Sequence, residues 1–257
     1  MSRYRRSVFC WCRRMALQSS IPTIHSRRDR KRYSSRDTDG QRNIMKIEKL
    51  SGGLWVPSTD VQIDEWREKG KPFMQETGLN QFVQWCDNQH KKFNLIVDVG
   101  AWCGTWSMAM QKYTKNIHCY EPNKIHYECL IRNLAPYSHI RLYNQAVGNE
   151  DGFVKLTEES ATQNTRVLME TGETKINKLD SLDITGIDMI KIDVEGLEME
   201  VLKGAQKTLE NVEYLMIELN GNSEKYGSSK KDIKEYLHSL GFKLLMKTWP
   251  DLVYYKV

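Results

Sequence analysis

Two periods of hydrophobic and polar residues alternate along the chain, and together they predict an α/β fold. Residues 93–100 form a short apolar run that is rich in β-branched residues and ends at a glycine, as is typical of a buried parallel strand. Around 76–89, apolar residues recur at helical spacing instead. The same patterns predict strands at 116–120, 139–143, 187–193, 212–219, 242–246 and 252–255, and helices at 105–113, 125–134, 197–210 and 230–240. Strands that alternate with helices imply a parallel sheet covered on both faces.

The end of the chain and its middle depart from this alternation. Only a short turn around Pro250 separates the last two strands, too short for a crossover, so they must pair antiparallel. The sequence therefore predicts a mostly parallel sheet with an antiparallel C-terminal strand. In the middle, a turn signal at 149–152 predicts an inserted hairpin that pairs 145–147 with 153–156, and the polar stretch 157–173 predicts a loop.

The net charge of +5 is the sum of two unlike parts. Residues 1–44 carry eleven Arg and one Lys against three acids, a net charge of +9. Residues 45–257 hold 26 basic and 30 acidic residues, a net charge of −4, and use Lys far more than Arg. The basic character thus belongs to the N-terminal segment, and a large nucleic-acid surface is not expected on the rest of the chain.

Three interpretations of the N-terminal segment stay open. Its Arg-rich, acid-poor composition is that of a mitochondrial transit peptide or of a basic arm that contacts phosphates or anionic lipid. Alternatively it lies upstream of the functional start, since Met45 opens a plausible beginning. All three predict disorder over 1–44. No apolar run approaches the ~18 residues of a membrane span. The cysteines lack paired spacing, which predicts reduced thiols and a cytoplasmic location, or a mitochondrial one if 1–44 is a transit peptide.

Candidate chemistry begins where the first buried strand turns into a helix. Asp98, Gly100 and Gly104 frame this turn, where glycines permit close backbone approach and the helix start offers free N–H groups. The glycine spacing is not that of a dinucleotide site or a P-loop. An aspartate before the first glycine suits the ammonium of S-adenosylmethionine better than a phosphate. Glu121 ends the second strand, where an acid can accept both ribose hydroxyls of a nucleoside.

A cluster of acids marks the ends of two later strands. Asp193 and Glu195 follow the strand that contains Lys191, and their i, i+2 spacing allows both to face one cleft. Glu218 ends the next strand and can reach the same rim. One of these acids could act as a general base toward a substrate hydroxyl, which is the interpretation that we adopt. No metal is expected, although the same three acids offer hard oxygen ligands that suit Mg²⁺, and this alternative stays open.

These motifs together resemble those of the FkbM family of methyltransferases. The resemblance covers about residues 94–247, and its most specific part is the stretch 191–196, Lys-Ile-Asp-Val-Glu-Gly. The similar segments are Val97-Asp98-Val99-Gly100-Ala101 with Gly104, Glu121-Pro122-Asn123, Ala146-Val147-Gly148, Lys191 to Gly196 and Leu202-Lys203-Gly204-Ala205. One departure is Trp102, because the family pattern usually has Asn after Gly-Ala.

The resemblance implies a Rossmann-like class I fold and a methyl transfer from S-adenosylmethionine, usually to a hydroxyl of a sugar or glycosylated metabolite. It implies a cofactor site formed by Asp98, Gly100, Ala101, Trp102, Gly104, Glu121, Pro122, Gln145, Ala146 and Asp193. It places Asp193 beside the sulfonium, and Glu195 and Glu218 near the acceptor, so these three are the catalytic candidates. The expected domains are a disordered extension over 1–44, a partly helical substrate-side addition over 45–90 and the methyltransferase domain over 91–257.

Two other functions remain open at this stage. The first is a nucleic-acid-modifying methyltransferase that uses the basic N-terminal segment as a docking arm. The second is a non-catalytic module that binds a nucleoside. The partner that we expect is a small-molecule or glycan acceptor, and neither nucleic acid nor a membrane span is expected.

Overall fold

The computed structural model describes residues 47–58, 60, 63–64, 67, 77–157, 166–168, 171–248 and 250–257. The disorder predicted over 1–44 falls outside these residues, as does most of the loop predicted over 157–173. The strands are β1 (Ile47–Lys49), β2 (Trp55–Pro57), β3 (Phe93–Val99), β4 (Thr114–Tyr120), β5 (Ile140–Tyr143), β6 (Ala146–Val147), β7 (Gly152–Leu156), β8 (Val167–Leu168), β9 (Thr174–Asn177), β10 (Met189–Ile192), β11 (Tyr214–Glu218), β12 (Phe242–Lys247) and β13 (Asp251–Lys256). The helices are α1 (Thr77–Asn88), α2 (Thr105–Met110), α3 (Lys124–Leu134), α4 (Glu198–Lys203), α5 (Gln206–Asn211) and α6 (Lys230–Ser239).

The centre of the fold is a seven-stranded sheet in the order β12-β13-β11-β10-β3-β4-β5. Strands β11, β10, β3, β4 and β5 pair in parallel, whereas β13 pairs antiparallel with both β11 and β12. The predicted α/β class and the antiparallel C-terminal strand are therefore confirmed. The sequence did not indicate that β13 lies inside the sheet, between β11 and β12.

Alternating residues of the buried strands supply two apolar cores, one on each face of the sheet. Val97 and Ile190 belong to one cluster, which includes residues of α5 and α6, while Ile96 and Met189 belong to the other, which includes residues of α1, α2 and α3. The period of two in β-strands sends neighbouring side chains to opposite faces, so a strand that is apolar throughout must be covered on both. Both faces of the sheet are thereby covered, which leaves the carboxyl ends of its parallel strands for a ligand site.

The inserted hairpin that was predicted at 145–156 is wrong in its pairing. Strands β6 and β7 do not pair with each other, because β9 lies between them in a small sheet of order β6-β9-β7-β8. β6 pairs with β9 in parallel and β7 pairs with it antiparallel. Ile176 of β9 is fully buried here. The strand that pairs with both β6 and β7 comes later in the chain, so the local turn signal at 149–152 cannot reveal it. β8 also falls within the stretch that was predicted as a loop.

The long helix predicted at 197–210 is interrupted. It is divided into α4 and α5 at Gly204, where a Cβ would stand 1.8 Å from the carbonyl oxygen of Gly148. Only glycine lets the two main chains approach this closely. The close approach therefore accounts for the glycine at position 204.

The region before the first buried strand begins with an antiparallel pair, β1 and β2, which the sequence indicated only as a short apolar patch. Helix α1 follows at the predicted position. Among the helices that the structure describes, none has the length and apolar character needed to cross a membrane.

Candidate active site

A cavity of about 380 Å³ opens at the carboxyl ends of the parallel strands, where ligands bind in open α/β sheets. Its volume lies in the ordinary range for small-molecule sites. The lining includes most of the predicted site residues, namely Gly100, Ala101, Trp102, Glu121, Pro122, Gln145, Ala146, Asp193, Glu195 and Glu218. Residues separated by up to 118 positions in sequence thus share one cavity, because each follows a strand of the same sheet.

The turn after β3 packs directly against the end of β10. Gly100 has φ +82°, and a Cβ on it would stand 1.7 Å from the carbonyl oxygen of Asp193. The amides of Gly100 and Ala101 both donate to the carbonyl oxygen of Tyr120, at 2.9 and 3.1 Å. The amide of Asp193 donates to the carbonyl oxygen of Val99 at 3.0 Å. Main-chain contacts therefore hold the turn between its two neighbouring strands, and no other residue than glycine fits at position 100.

Trp102 occupies the left-handed region, with φ +46°. Asn populates this region far more readily than Trp does, which gives a physical reason for the Asn that the family pattern usually has here. The amide of Trp102 donates to Oε2 of Glu121 at 2.9 Å. The unusual backbone conformation thus aims a main-chain donor at the acid that ends the next strand.

Glu121 is nearly fully buried, and main-chain donors hold both of its oxygens. In addition to Trp102, the amide of Asn123 donates to Oε1 at 2.9 Å, and Nδ1 of His126 lies 3.5 Å from the same oxygen. An ionised carboxylate has about four lone-pair positions, so each oxygen keeps one for a ligand hydroxyl. This geometry suits the two ribose hydroxyls of a nucleoside, the role predicted from its place in the chain.

Asp98 and Gly104, which were both predicted to contact the cofactor, are not among the residues that line the cavity. Asp98 is fully buried, and its Oδ2 accepts a hydrogen bond from Oγ of Ser107 at 2.6 Å. Its Oδ1 has no hydrogen-bond partner among the described residues. Burial raises the pKa of Asp98. Gly104 precedes α2, where a Cβ would press against Leu130. Both residues therefore contact the protein interior next to the turn, through Ser107 and Leu130.

The predicted acid cluster forms at the other end of the cavity. Nζ of Lys191 lies 2.8 Å from Oδ2 of Asp193, and Lys191 itself is buried. The side chains of Asp193 and Glu218 share a hydrogen bond. Oε2 of Glu195 accepts from the side-chain amides of Asn222 at 2.7 Å and Asn220 at 3.2 Å. Side chains, rather than main-chain groups, therefore hold this end together.

The three acids differ in proton affinity because their neighbours differ. Burial alone would raise the pKa of Asp193, but the ammonium of Lys191 holds it below its ordinary value. Burial and the charge of Asp193 raise the pKa of Glu218 to about 9. Burial and the same charge also raise the pKa of Glu195, against two amide donors that lower it. At neutral pH, Asp193 is ionised and Glu218 carries a proton.

A divalent cation is chemically compatible with these acids, since one oxygen from each lies within 4.8 Å of the others. However, Lys191 already supplies a positive charge to Asp193, and two amides already bind Glu195. The described contacts account for the cluster without an ion.

The cavity also has walls that the sequence reasoning missed. Trp106, Tyr120 and His126 line it, as do Thr105, Gly78, Pro250 and Asp251. Trp106 is nearly fully buried and follows the turn by two residues, so its place at the start of a helix next to the turn could have indicated it. Asp251 pairs in register with Glu218, but only the insertion of β13 beside β11 brings it there. No local signal indicates that contact.

Comparisons with known proteins place this geometry in context. The family model of the methyltransferase FkbM domain matches residues 89–244. The FkbM methyltransferase of Methylobacillus flagellatus has a similar fold, with 18% identity over 63% of this chain and a TM-score of 0.45. The chain spans 43% of the length of that structure. No curated protein sequence matches the chain.

Two further solved structures are similar at low identity. TrmK of M. capricolum, solved with S-adenosylhomocysteine, has 13% identity, a TM-score of 0.43 and coverage of 69% of this chain and 65% of that one. The magnesium protoporphyrin IX methyltransferase of Synechocystis, solved with S-adenosylmethionine, has 12% identity, a TM-score of 0.46 and coverage of 77% and 92%.

Proposed function

Because the chain belongs to the FkbM methyltransferase domain family, we propose that it transfers a methyl group to a hydroxyl oxygen of a sugar or glycosylated metabolite. Membership of the family confirms the predicted cofactor, S-adenosylmethionine. One observation supports the proposal most directly. A single cavity combines a glycine-framed turn and a ribose-type glutamate with a cluster of carboxylates of unequal proton affinity.

The residues at the first end of the cavity fit the cofactor. Gly100 lines the cavity and lets the turn pack against the carbonyl oxygen of Asp193, and Glu121 offers two fixed acceptors for ribose hydroxyls. We assign Ala101, Trp102, Pro122, Gln145 and Ala146 to its contact surface, as the sequence predicted. When bound, the cofactor supplies an activated methyl group on a sulfonium. The chain's own contribution there is alignment and exclusion of water, because an in-line displacement mostly needs the two reactants held in position.

The acceptor end has to relieve a hydroxyl of its proton. Glu218 already carries a proton at neutral pH, and Asp193 is paired with Lys191. Glu195 is therefore the candidate base, since burial raises its pKa and the buried ammonium of Lys191 pairs with Asp193 instead. Asn220 and Asn222 orient its carboxylate by donating to Oε2. Its other oxygen, Oε1, is the atom that we assign to the acceptor hydroxyl.

The charge of this end favours an acceptor without phosphate. Asp193, Glu195 and Asp251 line this end beside the protonated Glu218, and Lys191 is the one cation among the described lining residues. Carboxylates repel phosphates but accept hydrogen bonds from the many hydroxyls of a sugar. The net charge of −4 over residues 45–257 points the same way.

The domain assignment also remains a proposal. We assign residues 91–257 to the methyltransferase domain and 45–90 to a segment on the substrate side. The cysteines at 86, 103, 119 and 129 are buried free thiols, which is the state that a reducing compartment such as the cytoplasm maintains.

The test uses the full chain with radiolabelled methyl donor, a panel of glycans and RNA, and Glu195→Gln. We expect label on a glycan and a kcat lowered by about 10²–10⁴ in the variant, the usual contribution of a general base. The dissociation constant for S-adenosylhomocysteine, measured by calorimetry, should change less than about threefold, since Glu195 is assigned to the acceptor. Label on RNA alone would replace the sugar with a nucleic-acid acceptor. An unchanged kcat in Glu195→Gln would remove its role as base.

A further inference from the structure

The turn at 100–104, here called the cofactor turn, is tied to the N-terminal hairpin, residues 47–57, by one buried side chain. We propose that Asn133 is a positioning residue for the cofactor turn, and that through it the N-terminal hairpin sets the affinity for the cofactor. The inference rests on the proposed function. The hairpin lies outside residues 89–244, the part of the chain that matches the family model.

Asn133 lies on α3 and is 7% exposed. Its Nδ2 donates to the carbonyl oxygen of Cys103 and to that of Trp55, both at 2.8 Å. Its Oδ1 accepts from the amide of Trp55, also at 2.8 Å. One buried amide thus makes three well-formed hydrogen bonds to the main chain of two segments that are far apart in sequence.

The bond to Cys103 fixes the part of the cofactor turn that Glu121 does not. Glu121 holds the amide of Trp102 from the β4 side, and the amide of Gly104 donates back to the carbonyl oxygen of Ala101 at 2.8 Å. Asn133 holds the carbonyl of Cys103, which belongs to the peptide between Cys103 and Gly104, two peptides after that of the Trp102 amide. Trp102 has a strained φ, and such a conformation persists only when its surroundings hold it.

The hairpin side of the link is itself rigidly held. The guanidinium of Arg67 donates from Nε to Oε1 of Glu48 at 2.5 Å and from an Nη to the carbonyl oxygen of Pro57 at 2.8 Å. The guanidinium of Arg132 lies 4.6 Å from the ring centroid of Trp55. The side chain of Trp102 also packs against the apolar clusters that contain Ile47 and Val56. A disturbance of the hairpin is therefore expected to reach the cofactor turn.

The decisive variant is Asn133→Asp, which keeps the shape of the side chain but replaces the amide donor with an oxygen that faces two carbonyls. We expect the dissociation constant for S-adenosylhomocysteine to rise about tenfold, the size of one or two lost hydrogen bonds. The KM for S-adenosylmethionine should rise equally, and kcat at saturation should stay within about twofold, because the turn binds the cofactor before and during transfer alike.

Asp180→Asn is the matched control for stability. Asp180 accepts three hydrogen bonds, from the amides of Lys207 and Thr208 and from the hydroxyl of Thr208, and it does not line the cavity. It should lower the melting temperature without changing the affinity for S-adenosylhomocysteine. If Asn133→Asp lowers only the melting temperature in the same way, its role is merely structural and the proposal is overturned.

A second variant reaches the same link from the hairpin. Arg67→Ala should weaken S-adenosylhomocysteine binding about threefold, and should add less than that in the Asn133→Asp background, because part of its effect passes through the hydrogen bonds between Asn133 and Trp55. An unchanged affinity in Arg67→Ala, or full additivity of the two free-energy changes, would overturn the role of the hairpin.

Hydrogen exchange without ligand tests the positioning role of Asn133 separately from the proposed function. The amide of Gly104 should exchange faster in Asn133→Asp than in Asp180→Asn. Equal exchange would overturn the link even if the wild type bound no S-adenosylhomocysteine, a result that would itself count against the proposed function.

Discussion

The two ends of the cavity are held in different ways. At the cofactor end, main-chain groups carry the geometry: two amides hold the carboxylate of Glu121, and Gly100 fits against a carbonyl oxygen. At the acceptor end, side chains hold side chains, with Lys191 on Asp193, Asp193 on Glu218, and two asparagines on Glu195. The geometry of the cofactor end depends on steric fit, and that of the acceptor end depends on which carboxyl groups are protonated. The two ends should therefore respond to different perturbations.

The largest effect is expected on cofactor binding, from a steric clash introduced at Gly100. Gly100→Ala should abolish detectable binding of S-adenosylhomocysteine in calorimetry, a loss of more than about 100-fold, because its Cβ cannot coexist with the carbonyl oxygen of Asp193 and its φ disfavours any side chain. Gly52→Ala is the control, since a Cβ there meets nothing within 4 Å and binding should match the wild type. Wild-type affinity in a folded Gly100→Ala variant would contradict the description of the cofactor end.

A smaller effect is expected on stability, from the protonation of Glu218 at the acceptor end. Its pKa is raised from 4.5 to about 9, so the unfolded chain loses the proton at lower pH than the folded chain does. The stability that this carboxyl contributes is complete below pH 4.5 and is lost as the pH rises toward 9. Glu218→Gln cannot ionise, and its amide can still donate to Asp193. Its free energy of unfolding, relative to the wild type, should increase between pH 5 and pH 8 by about 1–3 kcal/mol. The full pKa shift would give roughly 4 kcal/mol over this window by linkage, and the partial exposure of Glu218 reduces that amount.

Denaturant unfolding of both proteins at the two pH values measures this difference. The exposed Glu210→Gln is the matched control and should leave the pH dependence unchanged. Parallel pH profiles for the wild type and Glu218→Gln would mean that the acceptor end does not hold a proton at neutral pH, and the contrast between the two ends would then weaken.

The smallest effect is expected for Glu121→Gln, which keeps the shape of the side chain but replaces one acceptor oxygen with a donor amide. Glu121→Gln should weaken S-adenosylhomocysteine binding about tenfold, since one of its oxygens can no longer accept from both a main-chain amide and a ligand hydroxyl. Calorimetry with S-adenosylhomocysteine is the measurement, and wild-type affinity in Glu121→Gln would contradict the role of Glu121 at the cofactor end.

The same contrast explains what could be predicted. The turn at Gly100 and the acid at Glu121 follow their strands directly, so a local pattern predicts them and predicts that they meet at one edge of the sheet. Asp193, Glu195 and Glu218 were predicted in the same way, and they lie together in the cavity. In contrast, Asn133 gives no signal, because an asparagine near the end of a helix is more often solvated than bound to two distant main chains.

By itself the sequence determined the α/β class, the positions of most strands and helices, and the strand ends that carry the site motifs. These features depend on the period of apolar residues and on the conformations that glycine and acidic residues favour at a turn. Tertiary structure alone decided that β9 separates β6 from β7, that β13 lies between β11 and β12, and that Gly204 divides a helix against Gly148. It also decided the proton affinities of the acids, which are set by burial and by charged neighbours. Pairing, close approach and burial involve residues far apart in the chain, and no local pattern records which distant partner is present.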